Sequence, residues 1–183
     1  MTSTLPTLLF STIEVTTQSF YRTSLSYAIV NIKPIVPGHV LVVPTRPVPR
    51  IADLNDSELI SLMRSVRRVG TVVQRVYGAD ALTIACQDGP AAGQSVPHVH
   101  FHILPRKAQG DRFSEDKDAI YPELETTEAI LMSDMQEGAE HRHQPFKVDA
   151  DEDRKPRSIE EMVSEANWLK GFFTEDDLRE QVD

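Results

Sequence analysis

An α+β fold with an antiparallel sheet is predicted by three observations on the sequence. First, apolar strand-forming runs at 25–32 and 39–44 are separated by the turn "KPIVPG", which is typical of an antiparallel strand pair. Second, apolar residues at 55–77 recur every three or four positions, which predicts a long helix. Third, apolar residues alternate again at 80–87 and 98–104, so two further strands should follow the helix.

The helices have recognisable N-terminal signals. Asn55 and Glu58 have the spacing of a capping box at the start of the long helix. Ser158 and Glu161 have the same spacing ahead of a second amphipathic stretch, which predicts a C-terminal helix at 159–172. The predicted order is therefore a hairpin, a long helix, two strands and a final helix.

Charge divides the chain into a core domain at 1–106, an acidic segment at 107–157, and a C-terminal helix and tail at 158–183. The core has nine Lys and Arg against six Asp and Glu, whereas the rest has ten against twenty-two. The acidic segment is polar and weakly periodic, so we expect a flexible insertion there. A positive core suits an anionic ligand, and the acidic remainder argues against a nucleic-acid partner.

The sequence has no pattern typical of a membrane or secreted protein, which bears on the expected compartment. No apolar run approaches the roughly 20 residues that a membrane-spanning helix needs, so no membrane association is expected. The N-terminal residues do not have the pattern of a secretory signal. Cys86 is the single cysteine, which excludes an internal disulfide framework and fits a reducing compartment such as the cytoplasm, with the nucleus as a second possibility.

The run "HVHFHIL" contains the most informative residues. His98, His100 and His102 alternate with apolar residues, and Pro97 and Pro105 bracket the run. On a strand these histidines would share one face, about 6.5–7 Å from one to the next. A polar sheet face could also have this pattern, but three histidines in strict alternation after a Gly-rich loop favour a functional site.

A metal site and a phosphate site are the two functional alternatives. The outer pair of histidines would lie about 13 Å apart at Cα, which disfavours one zinc ion held by all three, although two of them could combine with His39. Imidazole, with a pKa near 6.5, is a good nucleophile toward phosphorus at neutral pH. The preceding "GPAAGQS" loop could bind an anion through backbone N–H groups and the Ser95 hydroxyl. The "HRH" at 141–143 is interpreted as surface histidine.

The sequence "HVHFHILPR" matches the signature of the histidine triad superfamily, and residues from about 20 to 107 resemble its fragile histidine triad branch. The stretches "LSYAIVNIKPIVPGHVLVVPTRPV" and "QDGPAAGQSVPHVHFHILPRK" carry that resemblance. It implies a histidine triad fold, a homodimer with a shared sheet, and hydrolysis of diadenosine triphosphate to AMP and ADP, with weaker action on related dinucleoside polyphosphates. It also implies a covalent adenylyl-histidine intermediate, and a divalent cation (Mg²⁺ or Mn²⁺) complexed with the substrate rather than bound by the protein.

The resemblance implies roles for individual residues. His100 would be the nucleophile, with one ring nitrogen held by the backbone carbonyl of His98, and His102 would contact the phosphates. His39 would support the triad through His98, and Gln87 would lie near the leaving side of the reacting phosphate. Further substrate contacts are expected in the phosphate loop, the ribose site and the adenine pocket: Gly93, Gln94, Ser95 and Val96; Asn31; Ile29 and Leu41.

Two other functions stay open on the sequence. The superfamily also contains Hint-type adenosine phosphoramidases, which share the "GQSV" loop, although "QDGP" and "LPRK" favour the triphosphate hydrolase. A nucleotide-binding signalling module with slow turnover would use the same residues as the enzyme.

Overall fold

The computed structural model describes residues 6–140 and 156–174. Within these ranges the chain forms seven strands, listed in chain order: β1 (Leu9–Phe10), β2 (Ile13–Glu14), β3 (Ser19–Arg22), β4 (Ser26–Val30), β5 (Val40–Pro44), β6 (Ala81–Ala85) and β7 (Phe101–Arg106). The α-helices are α1 (Asp56–Val76), α2 (Ile120–Glu140) and α3 (Ile159–Lys170). No helix in the described ranges is both long and apolar enough to cross a bilayer.

Five strands form one antiparallel sheet in the order β3-β4-β5-β7-β6, and β1 pairs with β2 in a separate hairpin. The α+β architecture with an antiparallel sheet is therefore confirmed. The predicted pair at 25–32 and 39–44 corresponds to β4 and β5, with Ala28 opposite Val42 at its centre. β5 and β7 lie side by side although the long helix separates them in sequence, and β6 forms one edge.

The two faces of the sheet are covered by different elements. On one face the Ser26 hydroxyl lies 2.7 Å from the Ser65 hydroxyl of α1, so this face packs against the long helix. The next residue, Tyr27, points to the opposite face, as alternation in a strand requires. Its hydroxyl donates a hydrogen bond of 2.7 Å to the carbonyl of Leu9 in the β1–β2 hairpin. The face opposite α1 is thus partly covered by the hairpin.

Both predicted capping boxes are present. The Asn55 side chain accepts from the Glu58 N–H at 2.9 Å, and the Glu58 carboxylate accepts from the Asn55 N–H at 2.9 Å. Arg46 also donates to the Glu58 carboxylate, which fastens the start of α1 to the chain after β5. Ser158 and Glu161 make the same reciprocal pair at the start of α3.

The acidic segment differs from the expectation of a flexible insertion. Residues 120–140 form α2, and several of its side chains are buried: Ile120, Leu124, Thr127, Glu128, Leu131 and Met135. Apolar residues at helical spacing supply this buried face, and the many surrounding carboxylates obscure it in the sequence. Residues 141–155, including the "HRH" run, lie outside the described residues.

Candidate active site

The triad histidines are buried and only partly within a strand. β7 begins at Phe101, so His98 and His100 lie in the irregular segment before the strand, which differs from the predicted strand at 98–104. The segment is held instead by single backbone bonds, such as the Val99 N–H to the Val48 carbonyl at 2.8 Å. All three histidines are at most 1% exposed, so they line an enclosed site rather than an open face.

His102 connects this site to the centre of the sheet. It lies opposite Leu41 in the β5–β7 register, and Leu41 lies opposite Ile29 in the β4–β5 register. Directly paired residues point to the same face, so all three lie on the face that Tyr27 shares with the hairpin. Ile29 and Leu41 are fully buried there, next to the triad.

His98 has a structural role in the site. Its Nδ1 accepts the Ser11 N–H at 3.0 Å, and its Nε2 donates to the Pro44 carbonyl at 2.8 Å. The Phe10 ring packs 5.7 Å from the His98 ring, centroid to centroid. Burial lowers the pKa of His98 to about 4. The imidazole is therefore neutral at physiological pH and both ring nitrogens are engaged.

His100 has the hydrogen bond expected of the nucleophile. Its Nδ1 lies 2.7 Å from the His98 carbonyl oxygen. A carbonyl can only accept, so Nδ1 carries the proton and Nε2 faces into the site. The Phe10 ring meets the His100 ring edge-on at 5.2 Å. The orientation of Nε2 is thus determined by the hydrogen bond to the His98 carbonyl and by packing against the Phe10 ring.

His39 lies against His102, not against His98 as the resemblance implied. Its Nδ1 accepts the Ile35 N–H at 3.2 Å, so its Nε2 must donate, and that atom lies 2.9 Å from His102 Nδ1. Neutral His102 then carries its proton on Nε2, which faces the site. The Asn31 amide lies 3.3 Å from the same His39 nitrogen. The β5–β7 pairing explains the difference, because it sets the start of β5 beside His102.

The predicted phosphate loop divides into residues that face the site and residues that hold the loop. Gly93 has φ +91°, and a Cβ there would lie 2.9 Å from the Gln87 amide nitrogen, so glycine lets Gln87 pack over the loop. The Gln94 amide donates to the Pro49 carbonyl at 2.8 Å. Val96 is fully buried in the core. Gln94 and Val96 therefore have structural contacts, whereas Gln87 and Gly93 lie together at the loop.

Glu128 of α2 occupies the centre of the site. Its carboxylate accepts the Ser95 N–H at 3.0 Å and lies 3.1 Å from His100 Nε2 and 3.5 Å from His102 Nε2. The Ser95 hydroxyl donates to the Glu128 backbone carbonyl. Burial raises the pKa of Glu128, but the hydrogen-bonded His100 and the neighbouring His102 outweigh it and hold that pKa well below its usual range.

This arrangement can bind an oxyanion, because a loop N–H, a hydroxyl and two imidazole nitrogens converge on one point. His100, His102 and Glu128 also offer one ligand atom each within 4.8 Å of one another, which is a geometry that could hold a metal ion.

The comparison with family models matches residues 12–109 to the HIT domain, which covers more than half of the chain. The chain belongs to the HIT domain family. A relative from Schizosaccharomyces pombe, bis(5'-nucleosyl)-tetraphosphatase [asymmetrical], is 51% identical over 94% of this chain and 98% of its own length. A bifunctional bis(5'-adenosyl)-triphosphatase/adenylylsulfatase from Arabidopsis thaliana is 46% identical over 84% of this chain and 77% of its own length.

Solved structures agree with this HIT assignment. The crystal structure of Plasmodium falciparum diadenosine triphosphate hydrolase in complex with Cyclomarin A has a TM-score of 0.61 and 26% identity. It covers 93% of this chain and 86% of the other. The likeness therefore extends over the described parts of the chain and is not limited to the triad.

Three residues that contact the triad were missed by the sequence analysis: Phe10, Ser11 and Glu128. Phe10 is the last residue of β1, and Ser11 follows it in the turn to β2. Ser11 has φ +55°, a conformation that is uncommon for serine and not predictable from its residue type. Glu128 was detectable in part, because Leu124, Leu131 and Glu128 share one side of a helix by spacing. No local signal says that this side faces the triad.

Proposed function

We propose that the protein hydrolyses diadenosine triphosphate, and more weakly related dinucleoside polyphosphates, giving AMP and ADP from the triphosphate. The observation that carries the proposal is the bond from His100 Nδ1 to the His98 carbonyl, which leaves Nε2 as the reactive nitrogen and aims it at an oxyanion site. The names of the two relatives support it, since both are named as hydrolases of bis-nucleosyl polyphosphates.

In the first chemical step, neutral His100 Nε2 attacks the α-phosphorus. A nitrogen–phosphorus bond forms, the bond from phosphorus to the bridging oxygen breaks, and ADP leaves with that electron pair. The His102 Nε2–H and the Ser95 N–H can donate to the equatorial oxygens and stabilise the charge that develops there. In the second step water cleaves the nitrogen–phosphorus bond, releases AMP and restores neutral His100.

The Arabidopsis relative is named for two activities whose substrates, a bis(5'-adenosyl) triphosphate and an adenylyl sulfate, share an adenylyl group. Transfer of that group to His100 would be the step common to such substrates. We infer that the adenosine of the transferred AMP lies against Ile29 and Leu41, with its ribose at Asn31, and that the leaving nucleotide lies toward Gln87. Mg²⁺ or Mn²⁺ enters with the polyphosphate, whose charge it reduces.

A tetraphosphate substrate is the second candidate, because the Schizosaccharomyces pombe relative is named a tetraphosphatase. The transferred group and the role of His100 would be unchanged. Only the leaving nucleotide would be longer by one phosphate. The two candidate substrates therefore differ in the size of the leaving nucleotide that the site must hold beyond the reacting phosphorus.

The proposal is tested by specificity constants for diadenosine triphosphate, diadenosine tetraphosphate and adenosine 5'-phosphoramidate in the presence of Mg²⁺. We expect the triphosphate to have the highest kcat/KM and to give AMP and ADP in equal amounts. A higher kcat/KM for the tetraphosphate would select the second candidate. Preference for the phosphoramidate would move the activity to the Hint-type branch, and tight binding without turnover would indicate a signalling module.

We further propose that the protein is a homodimer joined through β6. This strand is an edge of the sheet, so its outer backbone groups are available for pairing with a second copy. Ile84 on β6 is 47% exposed, and Ile60 and Met63, one turn apart on α1, are 51% and 43% exposed. A Cβ at Gly70 of α1 would lie 2.9 Å from Leu82, so α1 packs on the side of β6 that Leu82 and Ile84 share.

Replacement of Ile84 by Lys should separate the dimer, because it places a charge in the apolar interface. Sedimentation equilibrium should give about twice the chain mass for the unmodified protein and the chain mass for Ile84→Lys. Leu9→Lys, which changes another exposed apolar residue away from β6, is the control and should stay dimeric. A monomeric unmodified protein would contradict the proposal.

We also propose that the protein acts in a reducing compartment, the cytoplasm or the nucleus. Cys86 is a free thiol whose pKa burial raises to about 11, so it is neither a bridge nor a reactive thiolate. A reducing cytoplasm or nucleus is consistent with such a residue.

A further inference from the structure

We propose that α2 is an internal inhibitor that occupies the substrate site, with Glu128 where the reacting phosphate binds. This inference rests on the proposed function, because it takes the triad to be a phosphate site. It adds a closed state of the enzyme in which one of its own helices must leave before substrate can enter.

The first argument is the set of groups that Glu128 uses. Its carboxylate takes the Ser95 N–H and faces the Nε2 atoms of both His100 and His102. These are the donors that would stabilise an α-phosphate and the atom that would attack it. A carboxylate and a phosphoryl group both present negatively charged oxygens to such donors. Glu128 and the substrate cannot therefore be bound at the same time.

The second argument is the apolar side of the same helix. Leu131 and Met135 are 1% and 6% exposed and belong to the buried cluster that also contains Ile29 and Leu41. Those two residues are the proposed lining of the adenine pocket. α2 thus brings the Glu128 carboxylate to the proposed phosphate position. The same helix brings Leu131 and Met135, three and seven residues later, to the apolar cluster around the proposed base position.

The third argument concerns the direction of the nucleophile. His100 Nδ1 donates to the His98 carbonyl, and Nε2 lies 3.1 Å from a Glu128 carboxylate oxygen. The nitrogen that would attack phosphorus is thus in contact with the carboxylate, which fills the position that the reacting phosphate needs. The closed state is therefore inactive.

The burial of Glu128 also argues against a purely architectural role. A fully buried carboxylate is costly, and well-packed apolar residues commonly stabilise a fold as well or better. Among the described residues, the Glu128 side chain makes its polar contacts with Ser95, His100 and His102, all groups of the candidate site. A helix that served only to cover the sheet would have no need of an anion at this point.

The closed state predicts a measurable loss of affinity. When only a fraction of the molecules is open, the apparent dissociation constant rises by the inverse of that fraction. Substitutions that weaken α2 should therefore tighten nucleotide binding without new contacts to the nucleotide. For substitutions of α2 outside the site, kcat should change little, because saturating substrate already holds the site open.

The experiment compares AMP binding by calorimetry in the unmodified protein and three variants. Glu128→Gln removes the charge but keeps the side-chain size, and Leu131→Ala loosens the apolar contact without touching the triad. Glu125→Gln removes a carboxylate from the exposed side of the same helix and is the matched control. We expect AMP to bind Glu128→Gln at least about tenfold more tightly and Leu131→Ala severalfold more tightly. Glu125→Gln should bind as the unmodified protein does.

Hydrogen exchange provides a second measurement that does not depend on turnover. Saturating AMP should increase amide exchange in residues 120–137 of the unmodified protein, because the helix is displaced. KM for the hydrolysed substrate should fall in Glu128→Gln and, by a smaller factor, in Leu131→Ala. Two results would overturn the proposal that α2 is an inhibitor. One is amide exchange in α2 that AMP does not change, and the other is AMP binding that is no tighter in Glu128→Gln than in Glu125→Gln. Tighter AMP binding with no hydrolysis of any dinucleotide would support the inhibitor and reject the proposed function.

Discussion

His100→Ala should lower kcat for diadenosine triphosphate by at least about 10³-fold, which corresponds to roughly 4 kcal/mol of activation free energy. The physical reason is that the variant has no nitrogen aimed at phosphorus. The neighbouring imidazoles cannot replace it, because they are held by other hydrogen bonds. Both ring nitrogens of His98 are bonded to backbone groups, and His102 Nδ1 is bonded to His39. Substrate binding should stay nearly intact, because the loop and the apolar pocket are unaltered.

Acid quenching of the reaction with substrate labelled in the adenosine provides the matching test of mechanism. The unmodified protein should carry up to one labelled AMP per chain after denaturation, and His100→Ala should carry none. A variant that kept more than a tenth of the normal kcat, or that still became labelled, would show that another group is the nucleophile.

Gly38→Ala should destabilise the fold by about 3 kcal/mol or more, measured by urea unfolding. Gly38 has φ +81°, and an added Cβ would lie 2.5–2.8 Å from three atoms of the Tyr77 ring. That ring cannot retreat easily, because its hydroxyl donates to Glu165 at 2.5 Å and Trp168 packs edge-on against it at 5.6 Å. The expected loss combines backbone strain with overlap in a packed region.

Gly78→Ala separates the two contributions. Gly78 also has a positive φ, of +60°, but nothing lies within 4 Å of a Cβ built there. Its replacement should cost only about 1–2 kcal/mol, the strain of the left-handed conformation. Equal losses in the two variants would mean that the Tyr77 contact contributes nothing to the effect.

The parts of the fold that could be predicted depend on local signals. α1 was predictable because its capping box joins residues three apart, and its apolar spacing is uninterrupted. β4 and β5 were predictable because a short Pro/Gly turn separates two apolar runs. The bond from His100 to the His98 carbonyl spans two residues and followed from the resemblance to a known family.

The unpredicted features are contacts between residues far apart in sequence. The pairing of His39 with His102 spans 63 residues and depends on the β5–β7 register, which no turn determines. Glu128 reaches Ser95 across 33 residues. Its helix lies in a stretch whose high charge is the usual mark of disorder, so composition indicated the wrong state. Tertiary packing decides both cases.

The segment that carries Glu128 is tied to the core on both sides. Before α2, Arg106 at the end of β7 donates to Asp111 at 2.7 Å. After it, Arg157 donates to the Asn31 carbonyl, beside the active site. An anion tethered in this way has an effective concentration set by the chain that carries it. Dilution of the protein does not change that concentration. A free dinucleotide competes with it only by its own concentration, so the tether raises the substrate concentration that half-fills the site by the same factor at every enzyme concentration.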